Sequence, residues 1–157
     1  MWLTGFDVKN LSTLYLDKPM NNFKRLFESM KNLEYCYLRL DTKQINTNSF
    51  SGCTKLKYIN LENSTQLQRM AQNSQFSGCT SLSLVICHAT TPPAANKLFY
   101  NVPENMIIRV PAESIESYKA SEAWNKYDIR KIGGEDEEED ENEENIEEKF
   151  NSLGIYP

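Results

Sequence analysis

Phe50-Ser-Gly-Cys-Thr-Lys-Leu56 returns 26 residues later as Phe76-Ser-Gly-Cys-Thr-Ser-Leu82. A looser copy precedes both, Phe27-Glu-Ser-Met-Lys-Asn-Leu33. Behind each copy, apolar residues stand at offsets 0, 3 and 5 from the leucine: Leu33/Cys36/Leu38, Leu56/Ile59/Leu61 and Leu82/Val85/Cys87. Offsets 3 and 5 lie two apart, and alternate residues of a strand share one face. Each copy therefore reads as a turn feeding a short strand with one apolar side. The template extends in both directions, to Leu11/Leu14/Leu16 and to Phe99…Val102…Asn105/Ile108/Val110, with Asn105 alone breaking it.

Successive leucine positions are separated by 22, 23, 26 and 23 residues, within the period of roughly 20–29 that leucine-rich repeats use. The expected fold is an α/β solenoid: a leucine-rich-repeat array of about five coils, with a stacked parallel β-sheet and a C-terminal capping helix. Strands are expected near residues 14–16, 36–38, 59–61, 85–87 and 108–110, stacked about 4.8 Å apart. The Phe and the Cys, Met or Val of each preceding segment should fill the opposite wall, with Gly52 and Gly78 permitting a tight turn there. A lean apolar content of 39% suits such a fold, because each coil buries only a narrow column against its neighbours.

The two FSGCT segments resemble those of the BspA-like leucine-rich-repeat family of bacterial proteins. Ala89-Thr-Thr-Pro-Pro-Ala94, Ile108-Arg-Val-Pro-Ala-Glu113 and Tyr118-Lys-Ala-Ser-Glu-Ala-Trp124 also look like the arrangement that closes the C-terminal end of the array in that family. The resemblance covers roughly residues 6–132. It implies the solenoid fold and, since family members are mostly surface adhesins or uncharacterised binding modules, a binding role without a named ligand. In the residues themselves, Ile115, Tyr118, Ala123 and Trp124 form a helical stripe, so a capping helix is expected within 112–125, with Ser114 and Ser117 available to cap it. Residues 128–132 read as a last short strand. Only Trp2, Leu3 and Phe6 are available to cover the first coil.

The net charge of −5 conceals two opposed parts. Residues 1–134 carry sixteen Lys/Arg and eleven Asp/Glu, a balance of +5; residues 135–157 carry eleven acidic residues and Lys149, a balance of −10. The chain thus divides into a solenoid with its cap (1–132), a Gly-Gly hinge and acidic linker (133–145), and an apolar peptide (146–157). Such an acidic run repels itself and stays extended. Ile146, Phe150, Leu153 and Tyr156 follow it as the anchors of a tethered docking arm; a plain solubilising tail is the competing reading.

Several classes of function are excluded by pattern. No apolar run approaches the roughly 18 residues of a membrane span, and no signal peptide is evident at the N-terminus. The basic residues form no stripe, which argues against nucleic acid. No phosphate-cradling glycine loop or calcium-loop spacing occurs, and Cys36, Cys53, Cys79 and Cys87 lack zinc-site spacing. No metal or cofactor is therefore expected. His88 adjoins Cys87, but an inward cysteine forces its neighbour outward, so a nucleophilic pair is not expected. Cys53 and Cys79 should stack on adjacent coils, close enough for a disulfide, yet their shared core slot favours buried free thiols.

The outward strand face is the candidate site. Offset 2 gives Thr13, Tyr35, Tyr58, Leu84 and Ile107; offset 4 gives Tyr15, Tyr37, Asn60, Ile86 and Arg109. Tyr15, Tyr35, Tyr37, Tyr58, Asn60, Leu84, Ile86 and Arg109 are the residues expected to contact a partner. Offset 6 gives Asp17, Arg39, Glu62, His88 and Pro111, of which Asp17, Arg39 and Glu62 alternate as a solvated ion ladder of little energetic weight. The chain therefore reads as a non-catalytic recognition or adhesion module that binds a protein or a glycan through this face. The alternative is a structural component of a larger assembly, such as a bacteriophage virion, docked through the acidic arm on other copies or neighbouring proteins. Localisation is expected to be cytoplasmic or virion-associated if the chain is full length, and the cell surface if it is a fragment of an exported protein.

Overall fold

The computed structural model describes residues 11–16, 27–28, 30–39, 44–45, 49–62, 64–70, 75–95 and 98–133. The acidic linker, the anchors Ile146, Phe150, Leu153 and Tyr156, and the N-terminal Trp2, Leu3 and Phe6 lie outside these residues, as does Asp17.

The chain is a parallel-strand solenoid. Strands β1 (Thr13–Leu16), β2 (Tyr35–Arg39), β4 (Tyr58–Glu62), β6 (Leu84–Cys87), β7 (Ile107–Val110) and β8 (Asp128–Lys131) form one sheet in that spatial order. The two-residue strands β3 (Gln44–Ile45) and β5 (Arg69–Met70) pair on another wall. Every neighbouring pair of the large sheet is parallel. In register stand Leu14, Cys36, Ile59, Val85, Ile108 and Ile129, and beside them Leu16, Leu38, Leu61 and Cys87. These two columns are the apolar offsets 3 and 5, and they point into the coil. About four turns are formed, where the leucine count leads one to expect five coils. Five strands delimit four circuits, and the circuit after β7 is closed by the cap rather than by another repeat.

The back wall is built on stacked phenylalanines. Phe27, Phe50, Phe76 and Phe99 have ring centroids 4.8, 5.3 and 5.4 Å apart, tilted by 20° or less. The spacing of a parallel coil stack brings identical side chains into offset ring stacking. The cysteines sit beside them, with Cys53 Sγ donating to Phe27 O (3.1 Å) and Cys79 Sγ to Phe50 O (3.2 Å). All four cysteines are free and buried.

Between Phe and Cys the chain must reverse. Gly52 and Gly78 do so with φ of +77° and +75°, the left-handed region that only glycine enters without cost. Their amides bridge to the next coil, Gly52 N to Ser77 O and Gly78 N to Tyr100 O. One coil later the same slot holds Asn101, at φ +56°, the side chain that best tolerates this region after glycine. At the broken leucine position Asn105 is exposed; Met106, one residue on, is buried instead, an unbranched side chain adaptable enough to fill the gap.

The C-terminal helix is shorter than its stripe suggests. After a 3-10 turn at Ala112–Ser114, α1 covers only Ile115–Lys119, and separate turns follow to residue 126. The reason is geometric. Tyr118 and Trp124 are six residues apart, so a continuous helix would point them roughly 120° apart around its axis. Both are buried, edge to face with centroids 5.1 Å apart, and Trp124 also meets Phe99 at the end of the ring stack. Breaking the helix after Lys119 allows both rings to cover the last coil. Their polar ends are satisfied: Tyr118 Oη donates to Ala89 O (2.9 Å) and Trp124 Nε1 to Pro93 O (3.1 Å). Ser114 makes no side-chain cap; its hydroxyl donates instead to Thr90 O, tying the cap to the preceding coil.

Candidate functional site

The face of the sheet opposite the core carries the candidate residues. Registration places Tyr35 beside Tyr58, then Leu84 and Ile107; the next column runs Tyr15, Tyr37, Asn60, Ile86, Arg109 and Arg130. Parallel in-register pairing puts like offsets side by side. The eight candidates therefore lie on one continuous surface.

That surface differs from the expected open one. Tyr58, Leu84 and Ile86 are only 5%, 3% and 5% exposed, and Arg109 is 1% exposed; Asn60 is buried with them. Tyr58, Leu84 and Ile86 form an apolar cluster separate from the core, with half-buried Tyr15, Tyr35, Tyr37, Ile107 and Ile132 packed at its margin. The outward direction of these side chains was legible in the strand alternation. Their burial was not, because alternation assigns a face and not what lies upon it. Ile132 is a member that the strand reading missed. It continues the alternation Asp128, Arg130, Ile132 beyond β8, and its apolar character after two charged residues was the available signal.

Local interactions vary along the face. At the β1 end Tyr15 stacks on Tyr37, centroids 5.1 Å apart. Lys57 lies 5.9 Å from the centre of the Tyr35 ring and pairs with Glu34 at 2.9 Å. The Glu34 hydrogen bond, followed by the charges of Tyr35 and Glu34, raises the Lys57 pKa. At the centre His88 Nε2 lies 3.2 Å from Asn60 Oδ1, and the His88 amide donates to Ser64 Oγ at 2.9 Å. Burial lowers the His88 pKa, with Glu62 acting in the opposite direction. At the β8 end Arg109 Nη1 donates to Lys131 O, and Arg130 pairs with Asp128 at 2.8 Å. Arg39 and Glu62 stand in register at the strand ends.

The adjacent Cys87 and His88 do not form a pair. Cys87 faces the core, where Tyr118 Oη donates to its sulfur at 3.4 Å, while the imidazole turns to Asn60 on the other side of the sheet. Burial raises the Cys87 thiol pKa, hydrogen bonds from Tyr118, Ala89 and Ser64 opposing it. Burial also pushes Cys53 up to about 12, and Cys36 and Cys79 upward as well. A thiol so far from its thiolate is a poor nucleophile. Among the described residues no cluster of three or more His, Cys, Asp or Glu side chains could hold a metal ion, and no helix is long and apolar enough to cross a membrane.

No protein-family model matches this chain, and no curated protein matches it either.

Proposed function

We propose that the chain is a non-catalytic recognition module of the BspA-like leucine-rich-repeat type, its strand face binding a protein or a glycan. The observation that carries this reading is the second apolar cluster, built from Tyr58, Leu84 and Ile86 on the face that looks away from the core. A sheet with one solvated face ordinarily alternates apolar and polar residues. Here the face is instead tyrosine-rich at one end and aliphatic at the centre. Strand propensity alone favours such residue types, but it does not gather them into a continuous patch that also includes the Tyr15–Tyr37 stack. Tyrosine offers a large apolar surface and a hydroxyl at low entropic cost, which suits recognition of proteins and sugars alike.

The test is a direct binding screen of the full chain on immobilised glycans and candidate surface proteins, with the Tyr15→Ser, Tyr35→Ser, Tyr37→Ser triple variant beside it. These three tyrosines are half-buried, so the variant should keep its fold while any affinity found falls by about tenfold or more. Undiminished binding by a folded triple variant would remove the strand face from the function.

A further inference from the structure

We propose a second binding site away from the strand face: a cleft between two successive coils, beside β5, that takes a neutral saccharide. This goes beyond the strand-face reading and does not depend on it.

The cleft measures about 300 Å³ and is lined by Thr65, Gln66, Leu67 and Gln68 of one coil and by Thr91 and Pro92 of the next. Its origin lies in the repeat. The two coils are in register at Leu61 and Cys87, and again at Arg69 and Ala94. Between these points the first coil has seven residues (62–68) and the second has six (88–93). Corners of unequal length cannot nest, and the longer one makes the 3-10 turn Ser64–Gln66. The volume stands at the lower end of the range for small-molecule sites, which suits the end of a glycan rather than a long chain.

Both lips are held from behind. On the upper lip, Tyr118 Oη donates to Ala89 O, Ser114 Oγ to Thr90 O and Trp124 Nε1 to Pro93 O. The cap thus fixes the loop that carries Thr91 and Pro92, and proline limits its backbone further. On the lower lip, Leu67 N donates to Ser64 O, and Gln68 O accepts from Ala94 N. Ligand entry therefore requires little ordering of the backbone, the principal saving that a preformed site offers.

The lining chemistry selects the ligand. Thr65, Gln66, Gln68 and Thr91 are exposed, and among the described residues no hydrogen bond holds their side chains. Each amide and each hydroxyl both donates and accepts, as a sugar hydroxyl does. Leu67 and Pro92 add apolar surface against which the C–H face of a sugar ring can rest. No lining residue carries a charge, so an anionic or cationic ligand would lose hydration without gaining a counter-charge.

The test is a titration of the isotopically labelled full chain with glucose, galactose, mannose, N-acetylglucosamine, lactose and cellobiose, followed by amide chemical shifts. N-acetylneuraminic acid and tetraglycine serve as the charged and the peptide control. A neutral sugar should move the side-chain amides of Gln66 and Gln68 and the backbone amides of Thr65 and Thr91, leaving Tyr37 and Ile86 in place. The double variant Gln66→Leu, Gln68→Leu should melt like the parent and bind that sugar about tenfold more weakly or worse. The Tyr15→Ser, Tyr35→Ser, Tyr37→Ser variant should keep the cleft shifts, so failure of this site and failure of the strand-face reading are separate results. Absence of shifts with every neutral sugar, shifts confined to the strand face, an equal response to either control, or undiminished binding by the folded glutamine variant would each overturn the proposal.

Discussion

His88 is the only histidine in the chain, which makes its titration readable in the stability of the whole. Burial lowers its pKa in the folded state, Glu62 acting weakly the other way. The unfolded chain therefore binds this proton more readily than the folded one. The resulting stability is complete above the unfolded value, about 6.5, and is lost as pH falls through the lower folded value. Melting temperature should decline as pH is lowered from neutral through the unfolded pKa, and His88→Gln should flatten that decline. An unchanged slope in the variant would show that the imidazole is not desolvated. The glycine slot gives a second residue-level prediction. A Cβ on Gly78 would meet Gly52 at an ordinary 3.9 Å, so the cost of substitution is conformational. Gly78→Ala should lose about 1–2 kcal/mol, and Gly78→Asn less, since Asn101 already adopts this conformation one coil on. Chemical denaturation of the two variants checks the order; equal losses would point to packing.

At the level of elements, two contrasting substitutions separate core from cap. Leu61 is fully buried in β4, on the column facing the coil interior. Leu61→Asp should unfold the domain, because an unpaired carboxylate there costs several kcal/mol. Thiol titration would then find all four cysteines reactive without denaturant. A variant that melts like the parent would mean that the strand register is wrong. Tyr118→Phe keeps the ring over the last coil but removes the hydroxyl that serves Ala89 O and Cys87 Sγ. Leaving a buried carbonyl without its donor should cost about 1–3 kcal/mol, measured by urea unfolding, with the fold retained. The helix stripe in the sequence identified Tyr118 and Trp124 as cap residues. It did not reveal that the helix must stop between them, since a stripe records which side chains are apolar and not whether one axis can deliver both.

Across the whole molecule, each coil touches only its neighbours, so local stability should vary along the stack. Among the described residues β4 and β6 have a strand on either side, whereas β1 pairs with β2 alone. Hydrogen exchange should be slowest at Ile59, Leu61 and Val85 and fastest in β1. Equal protection throughout would indicate a single cooperative unit. The alternation of side chains, the spacing of Phe and Cys, and the paired glycines were sufficient to place the strands, their register and the back wall. These follow from local geometry: a period of two within each strand, and one circuit per repeat. The coverage of the strand face belongs to another order of information. Tyr58, Leu84 and Ile86 read as outward residues, and they are; that they are also buried is decided only when the strands and Ile132 are brought side by side. The same holds for the short helix, whose length is set by where Phe99 ends the ring stack. Local pattern determines direction, but packing between strands brought together from distant parts of the chain determines exposure.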